Sequence, residues 1–297
     1  ILFSGGIGSL TAQWIVDGVP PVDVTGLTVD RTQVFETSRR FRRDRAEEQL
    51  GALFGDAAFP TWHPWSARNV RRSVIHDRLA GHGAREYPEW FDVDGTNPVV
   101  PQGWGRHAGF DYQAAEHRAV REAVGMLDMS IMAKLLVQGR DAETVLNRVC
   151  ANDVSVPAGR VVYTQWLNER GGIIDDLILY RLADDRFLII ANAGNHDAVD
   201  VALQGRAEGW DVTVTDTTDD YALTAVQGPR ARAILEATPG VTTLGVALEE
   251  LPYYAATEAE FNGSSLLIAR TGYTGEDGFE LLLPVDAAGA LWDALMD

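Results

Sequence analysis

Lysine is almost missing from this chain of 297 residues: Lys134 is the only one, although arginine is plentiful. Genome composition and adaptation to salt both leave such a pattern, and the sequence does not separate them. Cysteine is as scarce. Cys150 stands alone, so no disulfide can close within the chain, and no Cys/His group has zinc spacing. A reducing, cytoplasmic setting with no structural metal is the expectation. Cys150 follows Val145, Leu146 and Val149 at helical spacing, the pattern of a core thiol rather than a reactive one.

Long apolar runs are also lacking. The longest, such as residues 187–191, are strand-sized, far short of the roughly 20 residues that cross a bilayer, so no membrane span is expected. No initiator methionine, basic leader or cleavage site is seen at Ile1, and the chain stops within the apolar-periodic stretch 291–297. Both ends are therefore expected to be cut from something longer. Positive charge is short too: 25 Lys and Arg face 43 Asp and Glu, a formal net charge of -18. Such a surface repels polyanions, and nucleic acid is not an expected partner. The basic run Arg39, Arg40, Arg42, Arg43 and Arg45 sits among Glu36, Asp44, Glu47 and Glu48, which reads as a solvated, ion-paired helix face.

What is present is the balance of a packed protein, 46% hydrophobic and 23% charged, with length enough for about two domains. Residues 1–3 read as a strand remnant, followed by a turn through Gly5, Gly6, Ile7 and Gly8 and a helix through Leu10, Trp14 and Ile15 that ends near Gly18. An extended stretch leads into a charged helix over about 37–53. Residues 60–109 are rich in Pro, Trp and Gly, with one short helical pattern over 73–81. From Asp111 an α+β pattern begins: helix 111–124, strand 133–138, helix 141–150, strands 161–167 and 174–181, then strands 187–191, 211–216 and 221–227. Pro229 is placed at the first position of a further helix that Pro239 and Gly240 end. Strands 256–261, 265–269 and 278–283 close the pattern.

Three constellations can carry chemistry. Gly5, Gly6 and Gly8 at a strand-to-helix turn would let backbone N–H groups approach a cofactor phosphate or carbonyl, but a plain tight turn has the same look, and the pattern is not GxGxxG. In the second, alternation on strands 161–167 and 174–181 puts Asp176, Ile178 and Tyr180 on one face. With Asn168 paired to Ile173, Gln165 faces Asp176 and Tyr163 faces Ile178. A carboxylate among tyrosines and an amide results, while Asp175 points the other way; a solvent-facing polar side of a sheet is the alternative. The third is the run from Arg270 to Glu280, whose glycines and threonines suit a loop folded around a ligand or an ordinary hairpin loop. Glu280 could grip an amidine-like edge through two parallel hydrogen bonds.

Several longer motifs occur in one order: Val124-Gly-Met-Leu-Asp-Met-Ser, Cys150-Ala-Asn-Asp-Val, Tyr163-Thr, Leu167-Asn-Glu-Arg-Gly-Gly-Ile-Ile-Asp-Asp-Leu, Ala225-Val-Gln-Gly-Pro, and Arg270-Thr-Gly-Tyr-Thr-Gly-Glu-Asp-Gly-Phe-Glu. From Asp111 to Asp297 the chain thereby resembles the glycine cleavage T-protein, an aminomethyltransferase. Its first residues resemble the C-terminal edge of the FAD domain in dimethylglycine and sarcosine dehydrogenases, where a glycine turn precedes a Trp-Ile-x-x-Gly helix. The resemblance implies an α+β fold in three parts: the edge of an FAD-dependent oxidoreductase domain (1–28), a middle domain (29–108), and a folate-binding domain with antiparallel sheets, truncated at its C-terminus (109–297). The middle part departs from the family's Gly-Trp-Glu-Arg motif, offering only Gly83, Ala84, Arg85, Glu86, Tyr87, Pro88, Glu89, Trp90 and Phe91.

The resemblance also implies FAD and tetrahydrofolate as cofactors and an N-methylated amine as substrate. Flavin takes a hydride from the N-methyl group, and folate captures the one-carbon unit as 5,10-methylene-tetrahydrofolate. Asp176 matches the family's essential aspartate. Tyr163, Tyr180, Tyr254, Tyr273 and Glu280 match folate contacts, and Gly5, Gly6, Ile7 and Gly8 match the flavin turn. The rest of the flavin and amine apparatus is expected ahead of Ile1, and the arginine contacts of the folate tail beyond Asp297. Two alternatives remain open: a stand-alone T-protein-like aminomethyltransferase, and a non-catalytic folate-binding regulator.

Overall fold

The structure, a computed structural model, describes residues 4–18, 20–22, 34–54, 66, 72–81, 91, 106 and 109–297. The strand expected over 1–3, most of the extended stretch before residue 34 and the segment 83–90 lie outside the described residues. The chain divides into two compact units, Ile1–Val70 and Arg71–Asp297.

In the first unit, helix α1 spans Ser4–Asp17 and α2 spans Arg39–Phe54, with a 3-10 turn at Val34–Thr37. Gly18, at φ 73, ends α1 with its N–H on the Trp14 carbonyl, as the sequence suggests. The glycine turn does not precede the helix, however. Gly5, Gly6 and Gly8 lie inside the first two turns of α1. Glycine tolerates a tight turn without demanding one, and the apolar spacing that sets the helix reaches back through them. The basic run lies on α2 as read: Arg40 and Arg43 reach Asp44 from highly exposed positions.

The second unit holds α3 (His76–Gly81), α4 (Phe110–Glu122), α5 (Ala142–Val149), α6 (His196–Ala207), α7 (Ala231–Ala237) and α8 (Val285–Met296). Its strands form two antiparallel sheets. One has the order β1 (Gly125–Asp128), β7 (Tyr221–Gln227), β11 (Gly278–Pro284), β10 (Ser264–Ala269), β9 (Ala256–Phe261), β8 (Val241–Thr243). The other has the order β3 (Val161–Leu167), β4 (Ile173–Ala183), β5 (Arg186–Ala191), β2 (Ala133–Gln138), β6 (Thr213–Asp216). The α+β class with antiparallel sheets is thus as expected.

Strand alternation divides the apolar residues among three layers. On β11, Phe279, Leu281 and Leu283 face a core shared with Leu235 of α7 and Leu291 of α8, while Leu282 turns inward. On β4 and β5, Leu177, Leu179, Phe187 and Ile189 pack under α5 and α6, while Ile178, Tyr180, Leu188 and Ile190 turn inward. The inward residues of both sheets meet face to face, with Leu223 and Ala269 opposite Tyr180 and Ile190. Fully burying each such side chain contributes about 1.5–3 kcal/mol. Ile75 and Leu79, on and just before α3, also join the α8 side of the core, and Arg78 forks onto Asp293 at 2.7 and 2.8 Å.

Pro229 is not the first helical residue of α7. Gly228 sits at φ 132, where an added Cβ would meet the Val120 and Ala123 carbonyls at 2.7 and 2.5 Å. That turn is closed by the Ala231 N–H on the Gly228 carbonyl, so the helix opens two residues after Pro229. Cys150 packs at the edge of the α5 core, and burial pushes its thiol up to about 12, which suits an inert core thiol.

Candidate functional site

The hairpin of β3 and β4 carries the central carboxylate. Its end is fixed by Asn168, whose Oδ1 accepts from the Arg170 and Gly172 N–H groups at 2.9 Å each. Gln165 lies opposite Asp176 and Tyr163 opposite Ile178, the register read from the sequence. The pairing of Asn168 with Ile173 does not form, because a bulge sets Leu167 opposite Ile173. The face holding Tyr163, Asp176, Ile178 and Tyr180 is not turned to solvent: it looks onto the second sheet, and Ile178 and Tyr180 are buried. Asp175 points the other way and is buried at 3% exposure.

Asp176 is held at both oxygens. The Tyr163 hydroxyl donates to Oδ2 at 2.8 Å, and Asn192 Nδ2 donates to Oδ1 at 3.2 Å. Its hydrogen bond to Asp176 is the main reason the Tyr163 phenol is held above its ordinary pKa, so it remains a donor through neutral pH.

On the facing sheet stands Glu280, on the inner face of β11 and only 5% exposed. It accepts from the Tyr180 hydroxyl at 3.3 Å and from the Thr271 hydroxyl, both on Oε2. Burial raises its pKa, and those two hydrogen bonds offset the rise only in part. Leu188, Ile190, Leu223 and Leu267 line a narrow gap between the sheets beside Tyr180 and Glu280. Burial, then the Glu280 charge, also lifts the Tyr180 phenol well above its usual range.

Residues 270–277 form a locked loop. Arg270 forks onto Asp277 at 2.9 and 3.0 Å, and Glu276 meets Arg121 at 2.6 Å. Gln227, 1% exposed, organises the loop from below, donating to the Thr271 carbonyl at 2.9 Å and accepting from the Thr274 hydroxyl at 2.8 Å. An added Cβ at Gly272 or Gly278 would strike its amide at 2.1 or 2.6 Å, so these two glycines answer to Gln227.

Two more tyrosines complete the group. Tyr254 adopts φ 57, unusual for a bulky residue. Its carbonyl accepts from Val161 on one sheet and its N–H donates to Arg270 beside the other, so one residue stitches both sheets together. Tyr273 is 62% exposed, yet its hydroxyl end is crowded: burial, then the charges of Glu280 and Asp176, push its pKa up to about 12.

The six predicted residues Tyr163, Asp176, Tyr180, Tyr254, Tyr273 and Glu280 therefore fall in one group. Sequence reasoning missed Asn192, Thr271 and Gln227 as members. Gln227 stood in the Ala-Val-Gln-Gly-Pro motif and Thr271 in the glycine-rich run, whereas no motif quoted from the sequence contained Asn192. Gly5, Gly6, Ile7 and Gly8 belong to the other unit, exposed on α1 with open space around the three glycine Cα atoms.

Residues 76–297 match the GCVT N-terminal domain family, and residues 17–73 match the FAD dependent oxidoreductase central domain. The chain belongs to the GCVT N-terminal domain family. Among curated relatives of this family member, the aminomethyltransferase of Corynebacterium jeikeium (strain K411) is 44% identical over 66% of this chain and 53% of its own length. The 4-methylaminobutanoate oxidase (formaldehyde-forming) of Paenarthrobacter nicotinovorans is 32% identical over 100% of this chain and 37% of its own. The chain thus spans about half of the first relative and just over a third of the second. The crystal structure of glycine cleavage system aminomethyltransferase T from Bartonella henselae superposes with a TM-score of 0.61 at 31% identity, covering 77% of this chain and 57% of that one. The two-module resemblance read from the motifs holds. Among the described residues no helix is long and apolar enough to cross a membrane.

Proposed function

We propose that this chain is part of a flavin-linked dehydrogenase or oxidase of N-methylated amines, and that its second unit passes the one-carbon unit to tetrahydrofolate. The observation that carries the reading is Asp176, a carboxylate pinned at both oxygens on the face of β4 that looks onto the second sheet, where the buried Glu280 stands. Glu280 fits a pterin on physical grounds. A desolvated carboxylate gains most from N–H donors, and a pterin's ring N–H and amino group present two in parallel. Tyr180 and Thr271 hold that carboxylate, while Tyr254 and Tyr273 offer aromatic surface around the folate. Asp176 orients the folate nitrogens and stabilises positive charge as the carbon is transferred.

Bound FAD would supply the oxidation of the N-methyl group. Gly5, Gly6, Ile7 and Gly8 are assigned to it along the exposed start of α1, where Gly5 and Gly6 fall among the N–H groups that the helix itself leaves unpaired. The amine is read as one of the class that includes dimethylglycine and sarcosine, and similarity along the whole of this chain to 37% of an oxidase of 4-methylaminobutanoate supports an N-methylated amino acid of either chain length. The three-part division is kept, with α3 moved into the folate unit because Ile75 and Leu79 lie in its core. A cytoplasmic setting goes with it.

The test is Asp176→Asn in the full-length protein. Folate-dependent transfer should fall about 10²–10³-fold while amine oxidation continues. Undiminished transfer would overturn the site. Transfer without any amine oxidation in the parent protein would favour a stand-alone aminomethyltransferase, and folate binding without either activity a regulator.

A further inference from the structure

We infer that Asn192 and Asp175 are positioning residues for Asp176, joined in a hydrogen-bonded relay that passes from the buried side of β4 to the folate side; this rests on the reading of Asp176 given above. The antiparallel ladder of β4 and β5 has Ile178 opposite Ile190, and the same register would bring Asp176 opposite Asn192. Asn192 follows β5 instead of continuing it. Side chains take over where the ladder stops. The Asp175 carboxylate accepts the Asn192 backbone N–H on Oδ2 at 3.0 Å and Asn192 Nδ2 on Oδ1 at 2.8 Å. The same Nδ2 donates to the Asp176 carbonyl at 2.9 Å and to Asp176 Oδ1 at 3.2 Å.

The amide orientation follows from chemistry. All three neighbours of Nδ2 are oxygens of a carbonyl or carboxylate, which only an NH2 group can satisfy. One of its hydrogens goes to Asp175, and the other is shared between the two Asp176 oxygens. Asn195 Nδ2 adds a third donor to Asp175, at 2.7 Å. A carboxylate 3% exposed with three N–H donors is a fixed anchor, and it dictates where the Asn192 amide stands. The amide in turn fixes the rotamer of Asp176 from the side opposite Tyr163. Asn at position 175 would bring an NH2 against one of these donors, so even that near-isosteric change releases Asn192.

The experiment uses the full-length protein. Asn192→Leu and Asp175→Asn should each lower kcat for methylene transfer about tenfold, with KM for tetrahydrofolate and the rate of amine oxidation within twofold of the parent. The double variant should lose no more than either alone, and neither substitution should further reduce the residual rate of Asp176→Asn. Equal further losses on the Asp176→Asn background, or a loss confined to KM, would show a merely structural role and overturn the inference. Unchanged transfer in Asn192→Leu would overturn it too, and Asn192 is only half-buried, so this variant serves if Asp175→Asn fails to fold. Failure of the functional reading is separate: Asp176→Asn would itself leave transfer intact.

Discussion

Tyr163 and Asp176 are diagonal neighbours on β3 and β4, not directly opposed, and the phenol crosses that diagonal to donate to Oδ2 at 2.8 Å. The diagonal is long enough for a tyrosine and too long for a serine or threonine. Because Asn192 serves the other oxygen, each donor fixes one end of the same carboxylate.

Removing one end should therefore weaken the site without emptying it. Tyr163→Phe is expected to lower methylene transfer by about tenfold, the worth of one hydrogen bond to a charged group at a partly open position. Circular dichroism and melting temperature should stay close to the parent's, since Tyr163 is only partly buried. A loss as large as that of Asp176→Asn would mean that the phenol has a chemical role beyond holding the carboxylate.

A second expectation concerns pH. Burial raises the Glu280 pKa above its unfolded value, so the folded protein holds that proton more tightly than the unfolded chain does. Stability from this group is fully present below the unfolded pKa and is lost as pH rises through the folded one. Glu280→Gln keeps an oxygen for Thr271 and Tyr180 but never ionises. It should melt higher than the parent near pH 7, with little difference at mildly acidic pH, each kcal/mol appearing as about 2–4 °C at this domain size. Tetrahydrofolate affinity should drop in the same variant. A melting temperature that falls equally at both pH values would show that the ionised carboxylate is stabilising as it stands.

How much of this was readable in the sequence depended on the range of the forces involved. The faces of Asp175 and Asp176 follow from alternation, which is local and strict once a hairpin is fixed. The bulge at Leu167 is not, because one extra residue leaves no mark in the composition. Neither β1 nor β8 stands out in the sequence, four and three residues being too few to show a period. α6 carries Val199, Leu203 and Ala207 four apart, a signal present but unused. That the polar face of β3 and β4 looks onto a second sheet was beyond reach, since it is set by how two sheets pack. Gly5 to Gly8 misled for the opposite reason: glycine permits a turn, and the helical spacing around it decided otherwise.

The chain's single lysine gives the last expectation. Composition offered it as a curiosity, but Lys134 is fully buried on β2, and its ammonium donates to the carbonyls of Ser130, Met132 and Thr218 at 2.9, 2.9 and 3.2 Å. Met129 and Met132 pack against the same inter-sheet cluster as Tyr163 and Tyr254, so the ammonium fastens the loop beside the candidate site. Its backbone is tied in as well, with Thr217 and Thr218 bonded to the Lys134 carbonyl and N–H. Lys134→Met would match the volume and leave three carbonyls short of a donor, at a cost of about 2–5 kcal/mol in urea unfolding. Acetic anhydride should leave position 134 unmodified in the native protein and acetylate it once urea unfolds the chain, as mass spectrometry would read directly. Native acetylation at the rate of a free lysine, with no loss of stability in the Met variant, would show that the ammonium is not the clamp described.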